Sequence, residues 1–373
     1  MQKAKWYFLG LMAMLFFSTA FAEDTIKIAA IYALTGEAAK GEANSNSTSL
    51  QGVRYALEEV NKQGGILGKQ IKLLVLDNNS SPIGSAIAAE SAAKAGVSAI
   101  VGATWSSHSI AIARVAQPKG IPMISNFSTN PEVTKIGNYI FRTCFTDDFQ
   151  GKIMARFARK NLNADTAVIF TDLTSNFSLM LAAIFRDNFE KSGGKIVTEV
   201  RYKHKQVIFE REIRQAQKAN ADVWFLSGHS ESGYIVKQAQ DAEISLVPLG
   251  GDGWSESFLA KGGSELKRGY YCTHWSEFMD SEFSRLFVKK YKHLKNFGVG
   301  TALGYDAVMV LADAIRRAGS TDRDKIRDAL ANTRSFKGVT GTITFDAIGN
   351  PVKSAVIMEI KNGKRHYLRT LEP

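Results

Sequence analysis

Short apolar runs alternate with longer amphipathic stretches along most of the chain. The alternation starts with apolar runs of strand length at 26–34, 71–76, 99–102 and 121–125. It resumes after residue 144, with further runs at 167–171, 195–202, 223–227, 247–249 and 269–273. The segments between them have the apolar spacing of helices. This order predicts two α/β units, each with a mostly parallel, doubly wound sheet. Helices predicted at 301–318 and 322–331 could return to the first unit.

Two polar loops follow neighbouring predicted strands of the first unit. One contains Trp105 and Ser106 and leads into a helix; the other contains Phe127, Ser128 and Thr129. Carboxyl ends of parallel strands meet at one edge of a sheet, where ligands bind. Because the N–H groups and dipole of a helix start favour anions, the hydroxyls of these loops predict a site for a small carboxylate. The alternative for the first loop alone is a simple helix cap.

The tightest turn of the chain, residues 250–254 (GGDGW), places Asp252 directly after a predicted strand. A carboxylate there could pair with an ammonium group, although acidic residues also stabilise turns through local hydrogen bonds. Together with Ser106 and Thr129, Asp252 predicts an anion site next to a cation site. That combination matches the zwitterion of an amino acid.

Patterns of catalytic and metal sites are missing or incomplete. Residues 64–69 (GGILGK) lack the length and the Ser/Thr of a phosphate loop, and residues 228–232 (GHSES) lack the second glycine of a nucleophile elbow. The six histidines are scattered. We therefore expect a protein that is not an enzyme and has no cofactor and no metal.

Residues 1–22 have the pattern of a secretory signal peptide. Lys3 and Lys5 precede an apolar stretch, and 20–22 (AFA) form a small-residue cleavage site. We therefore expect a soluble mature chain in the periplasm. The formal net charge is +11, but the basic residues are dispersed, and with export this argues against a nucleic-acid partner.

Several stretches resemble one family in order and spacing. They are 26–36 (IKIAAIYALTG), 61–69 (NKQGGILGK), 124–134 (ISNFSTNPEVT), 141–151 (FRTCFTDDFQG), 248–254 (PLGGDGW) and 304–308 (GYDAV). The mature chain, over nearly its whole length, resembles the periplasmic solute-binding proteins of the Leu/Ile/Val-binding type, which feed ABC importers.

The resemblance implies a type I periplasmic binding fold, with two lobes joined by three hinge strands. Lobe 1 would comprise 23–144 plus 275–342, and lobe 2 would comprise 145–274 plus 343–373. The implied function is capture of an amino acid or a close relative between the lobes by a monomer that passes it to membrane permease subunits. A ligand-sensing module that acts on a receptor or regulator is the alternative, and an exported enzyme is the third class.

The resemblance also assigns roles to individual residues. Ser106 and Thr129 match carboxylate contacts, the carbonyl of Phe127 would accept from the ligand amine, and Asp252 takes the acidic amine-binding position. Phe177 matches an aromatic position of the second lobe, and Trp105 and Ser128 complete the two loops. The sequence departs from the family at Lys40, which we predict reaches toward the ligand, and at Gly228 or His229, where aromatic residues are usual. A polar, acidic or bulkier amino acid is therefore at least as consistent with the sequence as leucine.

The family's hinge order would also bring Cys144 and Cys272 onto adjacent strands. A disulfide is permitted in an oxidising compartment. Two separate buried thiols are the competing interpretation.

Overall fold

The computed structural model describes residues 25–40, 44–203, 205–254, 256–295 and 297–373. The predicted signal peptide, 1–22, lies outside these residues. The described chain forms two large, mostly parallel sheets with helices on their faces and a small third sheet, in agreement with the predicted class.

The first lobe is built on five strands: β1 (Ile26–Tyr32), β2 (Ile71–Asp77), β3 (Ala99–Gly102), β4 (Met123–Ser125) and β5 (Ile140–Arg142). They are parallel and lie in the order β2-β1-β3-β4-β5. The helices between them are α1 (Ser45–Lys62), α2 (Pro82–Lys94), α3 (Ser106–Ala116) and the short α4 (Glu132–Lys135). The strand order reverses next to β1, so the loops after β1 and β3 diverge and leave a crevice between them.

The second lobe alternates helices with strands in the same way. It contains α5 (Asp147–Asn161), β6 (Thr166–Asp172), α6 (Asn176–Lys191), β7 (Lys195–Tyr202), α7 (Glu210–Lys218), β8 (Val223–Leu226), α8 (Ser232–Asp241), β9 (Pro248–Gly250), α9 (Glu256–Ala260) and β10 (Arg268–Thr273). The final strands β14 (Ala355–Lys361) and β15 (Lys364–Leu371) extend this sheet antiparallel, in the order β15-β14-β10-β9-β8-β6-β7.

Three late helices connect the second lobe back to the first. They are α10 (Glu282–Tyr291), α11 (Val299–Ala318) and α12 (Arg323–Ala331), and they precede a small sheet of β11 (Phe336–Gly338), β12 (Gly341–Phe345) and β13 (Pro351–Val352). Helix α11 packs along α1, and its Leu311 shares an apolar core with Ile28 and Val53. The predicted return of the late helices to the first unit is therefore present.

The chain crosses between the two large sheets three times, after β5, after β10 and before β14. The crossings lie side by side: the Arg142 N–H donates to the Gly349 carbonyl at 3.1 Å, and the Lys353 ammonium donates to the Thr143 carbonyl at 3.1 Å. Phe145 and His274 pack with ring centroids 3.7 Å apart. The exact residues at which the lobes divide remain a prediction.

Some elements differ from the sequence-based expectation. The strand predicted over 352–360 is two strands, β13 and β14, because Lys353 turns inward to the Thr143 carbonyl and the Thr340 hydroxyl. Strands β11 and β15 were not predicted. Helix α5 begins at Asp147 and not at Gln150, because two acidic residues, Asp147 and Asp148, favour its first turn. Within the described residues, no helix has the length and apolar character needed to cross a bilayer.

Candidate ligand-binding cleft

The first polar loop starts where β3 ends at Gly102. This glycine has φ 125°, and a Cβ there would lie 2.3 Å from the Ile31 carbonyl oxygen, so no other residue fits. The chain then turns through Trp105 into α3, which begins at Ser106. The Ser106 hydroxyl accepts from the Asn130 N–H at 3.3 Å, so the two polar loops are hydrogen-bonded to each other.

A buried arginine holds the second loop. The Arg142 guanidinium donates to the carbonyl of Ser128 at 2.6 Å and to the carbonyl of Asn130 at 2.8 Å. It also donates to the Thr134 hydroxyl at 3.2 Å. A planar guanidinium with several fixed donors suits this task. Arg142 therefore fixes the backbone on both sides of Thr129.

The two hydroxyls of the second loop face different surroundings. The Ser128 hydroxyl is hydrogen-bonded to the Ser109 hydroxyl at 2.8 Å and to the Thr104 carbonyl at 3.0 Å, inside the first lobe. The Thr129 side chain faces the carboxyl group of Asp147 at the start of α5. Thr129 is thus placed at the junction of the lobes, while Ser128 supports the loop. The role of each toward a ligand remains a prediction.

Asp252 lies in the turn after β9, with only 4 % of its side chain exposed. Its Oδ2 is 2.8 Å from Nε2 of His274, and its N–H donates to the amide oxygen of Gln150 at 3.1 Å. A Cβ on Gly251 would lie 2.7 Å from that amide oxygen, so glycine keeps this contact possible. The Asp252 Oδ1 is buried and has no hydrogen-bond partner among the described residues.

Gln150 connects Asp252 with a second buried carboxyl group. Because the Asp252 N–H can only donate, the amide oxygen of Gln150 faces it and the amide nitrogen faces away. That nitrogen donates to Oδ1 of Asp147 at 2.7 Å. Burial raises the pKa of Asp147 to about 7, and the charge of Asp252 adds to this, against smaller opposing effects of Thr129, Gln150 and Arg142.

Asp147, Gln150, Asp252 and His274 form one polar cluster, and His274 is its last member. Burial lowers its pKa, and the neighbouring Asp252 only partly offsets this effect. A neutral imidazole would donate from Nε2 to Asp252, which leaves a lone pair on Nδ1. Nδ1 is buried without a hydrogen-bond partner in the described part of the chain. The ring also packs edge-on against Phe127, with centroids 5.2 Å apart.

Aromatic rings from both lobes meet beside this cluster. Trp105 of the first lobe is 36 % exposed and stacks on His108, and its ring lies 6.4 Å from that of His229 in the second lobe. His229 in turn contacts Phe177, with centroids 4.6 Å apart. The carboxylate of Glu231 orders this loop by accepting from the His229 N–H at 2.9 Å. The lobes therefore contact each other through an aromatic cluster.

Three predicted features lie elsewhere. The Lys40 side chain is 73 % exposed and pairs with Glu37 at 2.9 Å, so its reach toward a ligand stays a prediction. Cys144 and Cys272 are buried free thiols, and no disulfide joins them. Among the described residues, no group of histidine, cysteine and acidic side chains could hold a metal ion.

Comparison with known proteins gives the context of this cleft. A family model described as "Periplasmic binding protein" matches residues 25–365. The chain belongs to that family. The leucine-, isoleucine-, valine-, threonine- and alanine-binding protein of Pseudomonas aeruginosa is 28% identical over 90% of this chain and 89% of its own.

Solved structures agree with this assignment. A leucine-binding protein, LivK, from Thermotoga maritima has a TM-score of 0.86 and 34% identity, over 94% of this chain and 99% of that chain. The branched-chain amino acid transporter substrate-binding protein LivJ from Streptococcus pneumoniae, in complex with isoleucine, has a TM-score of 0.86 and 31% identity, over 94% and 100%. The predicted family and two-lobed fold are confirmed.

Sequence reasoning missed four polar residues of the cleft: Arg142, Asp147, Gln150 and His274. A usable signal was present for two of them. Asp147 and Gln150 follow strand β5, as Asp252 follows β9, and they stand three residues apart at a helix start. Nothing local in the sequence distinguishes Arg142 or His274 from ordinary strand-end residues.

Proposed function

We propose that this protein binds an amino acid between its lobes and delivers it to an ABC importer, without catalytic activity. The observation that supports this most directly is the buried Oδ1 of Asp252, which has no partner among the described residues and lies across the hinge from two hydroxyl-bearing loops. A buried charge normally finds a partner. The ammonium group of a ligand would supply it.

The opposite end of the ligand would bind the first lobe. The hydroxyl of Ser106 and the first turn of α3 form a site that favours a carboxylate. The Thr129 hydroxyl faces Asp147, so its hydrogen can point at that carboxyl group and its lone pairs can accept from the ammonium group. Thr129 would then belong to the amine end, in contrast to its role implied by the resemblance.

The ligand side chain would meet the aromatic cluster of Trp105, Phe177 and His229. Phe177 is almost fully buried, and these rings form an apolar surface from both lobes. We therefore propose a neutral amino acid with an apolar side chain. The names of the relatives from Pseudomonas aeruginosa and Streptococcus pneumoniae support the same class.

A thermal-shift screen of the mature protein tests the binding step. The panel contains the twenty proteinogenic L-amino acids, with 4-methylpentanoate and isopentylamine as leucine analogues that lack the amine or the carboxylate. A ligand at a hundred times its Kd should stabilise the protein by about 2.7 kcal/mol. Only zwitterions should produce this shift. Equal binding of either analogue, or no shift with any amino acid, would refute the proposal.

Delivery is tested in the cell that makes the protein. Deletion of the gene should abolish high-affinity uptake of the labelled ligand, and the chain should be recovered from the periplasm without residues 1–22. Normal uptake combined with loss of a response to the ligand would favour the sensing alternative.

A further inference from the structure

The polar cluster contains two carboxyl groups that share one environment. Asp147 is fully buried and Asp252 nearly so, and the amide of Gln150 donates to the Asp147 carboxyl group at 2.7 Å and accepts from the Asp252 backbone N–H at 3.1 Å. One oxygen of each carboxyl group, Oδ2 of Asp147 and Oδ1 of Asp252, is buried without a hydrogen-bond partner among the described residues. Burial, and after it the negative charge of Asp252, favours the protonated form of the Asp147 carboxyl group.

We propose that Asp147, which Gln150 bridges to the backbone of Asp252, holds a proton in the empty cleft and releases it to solvent when the ammonium group of the ligand binds. This inference rests on the proposed amino-acid function and adds Asp147 as a positioning residue. The site would hold one net negative charge when empty. With the ammonium bound it would hold two carboxylates and one cation, so its net charge would stay the same.

The hydroxyl of Thr129 would connect the Asp147 carboxyl group with the ammonium group of the ligand. It faces the Asp147 carboxyl group from the loop that Arg142 holds in place. In the empty cleft a protonated Asp147 can donate to this hydroxyl. When the ammonium donates to the same hydroxyl, the hydroxyl hydrogen turns to Asp147, which then accepts as a carboxylate. The proton leaves Asp147 because its acceptor has become a donor.

Other titratable and charged groups also face the cluster. Strand β5 and the turn after it contribute Arg142 and Cys144. Strand β10 and the turn after it contribute Cys272 and His274, and the segment before β14 contributes Lys353. Burial raises the pKa of the Cys144 thiol to about 12 and that of Cys272 well above its usual value. Burial lowers the pKa of Lys353 to about 8 and keeps that of His274 below its usual value. Asp147 has a pKa of about 7, between that of His274 and that of Lys353.

Titration calorimetry in two buffers tests the release. The strongest amino acid of the thermal-shift panel is titrated in two buffers that hold the chosen pH but differ in ionisation enthalpy, phosphate and imidazole near pH 6 and borate and Tris near pH 8.5, and the difference in heat counts the protons released. We expect nearly one proton per ligand at about pH 6, and almost none at about pH 8.5. The Kd should fall about tenfold per pH unit up to about pH 7 and then level off.

Two variants assign the proton. Asp147→Asn keeps an acceptor for Gln150 and should bind with no proton release and a flat pH profile. Asp148→Asn removes the exposed neighbouring carboxylate of the same helix turn and should behave like the wild type. Equal heats in both buffers at about pH 6 for the wild-type protein, or release that persists in Asp147→Asn, would overturn the inference while leaving the binding function intact. No binding by any amino acid would overturn both.

Discussion

Replacing Asp252 by alanine is the most direct test of the amine site. Oδ1 of Asp252 is the buried oxygen with which the ligand ammonium would pair, since Oδ2 is taken by His274 at 2.8 Å. Removing one partner of a buried charge pair costs about 3–5 kcal/mol. At about 1.4 kcal/mol per factor of ten, the Kd should rise by about two to four orders of magnitude.

The same substitution has a separate effect on the empty protein. It leaves the Nε2 hydrogen of His274 buried without its acceptor, which costs about 1–3 kcal/mol of stability. Asp252→Asn keeps the shape of the side chain and can still offer an oxygen to His274, so it should lose much of the affinity with a smaller loss of stability. This pair of variants separates binding from folding.

The assay is titration calorimetry with the strongest amino acid of the panel, together with urea unfolding of each variant without ligand. Asp241→Ala, which removes an exposed carboxylate of the second lobe, is the matched control and should bind normally. A Kd for Asp252→Ala within about threefold of the wild-type value would refute the amine role of Asp252. A threefold change in Kd corresponds to a change of only about 0.6 kcal/mol in the binding free energy.

Three further predictions concern other residues. Ser106→Ala should weaken binding by about 1.5–3 kcal/mol by removing one hydrogen bond to the ligand carboxylate, and an unchanged Kd in calorimetry would contradict this. Burial lowers the pKa of His108 to about 4 from an ordinary 6.5. Between these two pH values the unfolded chain therefore binds more protons than the folded chain, and the free energy of unfolding should fall as the pH drops from 6.5 to about 4. His108→Gln should make the unfolding free energy less dependent on pH between these values, and an unchanged slope in urea titrations would argue against the assignment. Thiol counting on the unfolded, unreduced mature protein should find both Cys144 and Cys272 free, and a count of zero would show a disulfide.

Much of the fold was predictable because local patterns determine it. Parallel strands buried on both faces read as apolar runs, and the alternation with helices determines the doubly wound class. Even so, Lys353 interrupts the strand predicted over 352–360, since a buried ammonium needs acceptors such as Thr143 and Thr340. Local sequence does not reveal partners that are distant along the chain.

The amino-acid sequence alone determined the two polar loops and the acidic turn, because residues that follow parallel strands reach the same edge of a sheet. Tertiary structure alone decided what those residues contact. Gln150 meets the backbone of Asp252 across 102 residues of sequence, and Arg142 lies among the carbonyls of the loop around Thr129. The free state of both cysteines and the inward orientation of Ser128 were likewise decided by packing. The physical reason is that burial, and not sequence neighbours, sets the charge and the partners of a polar group.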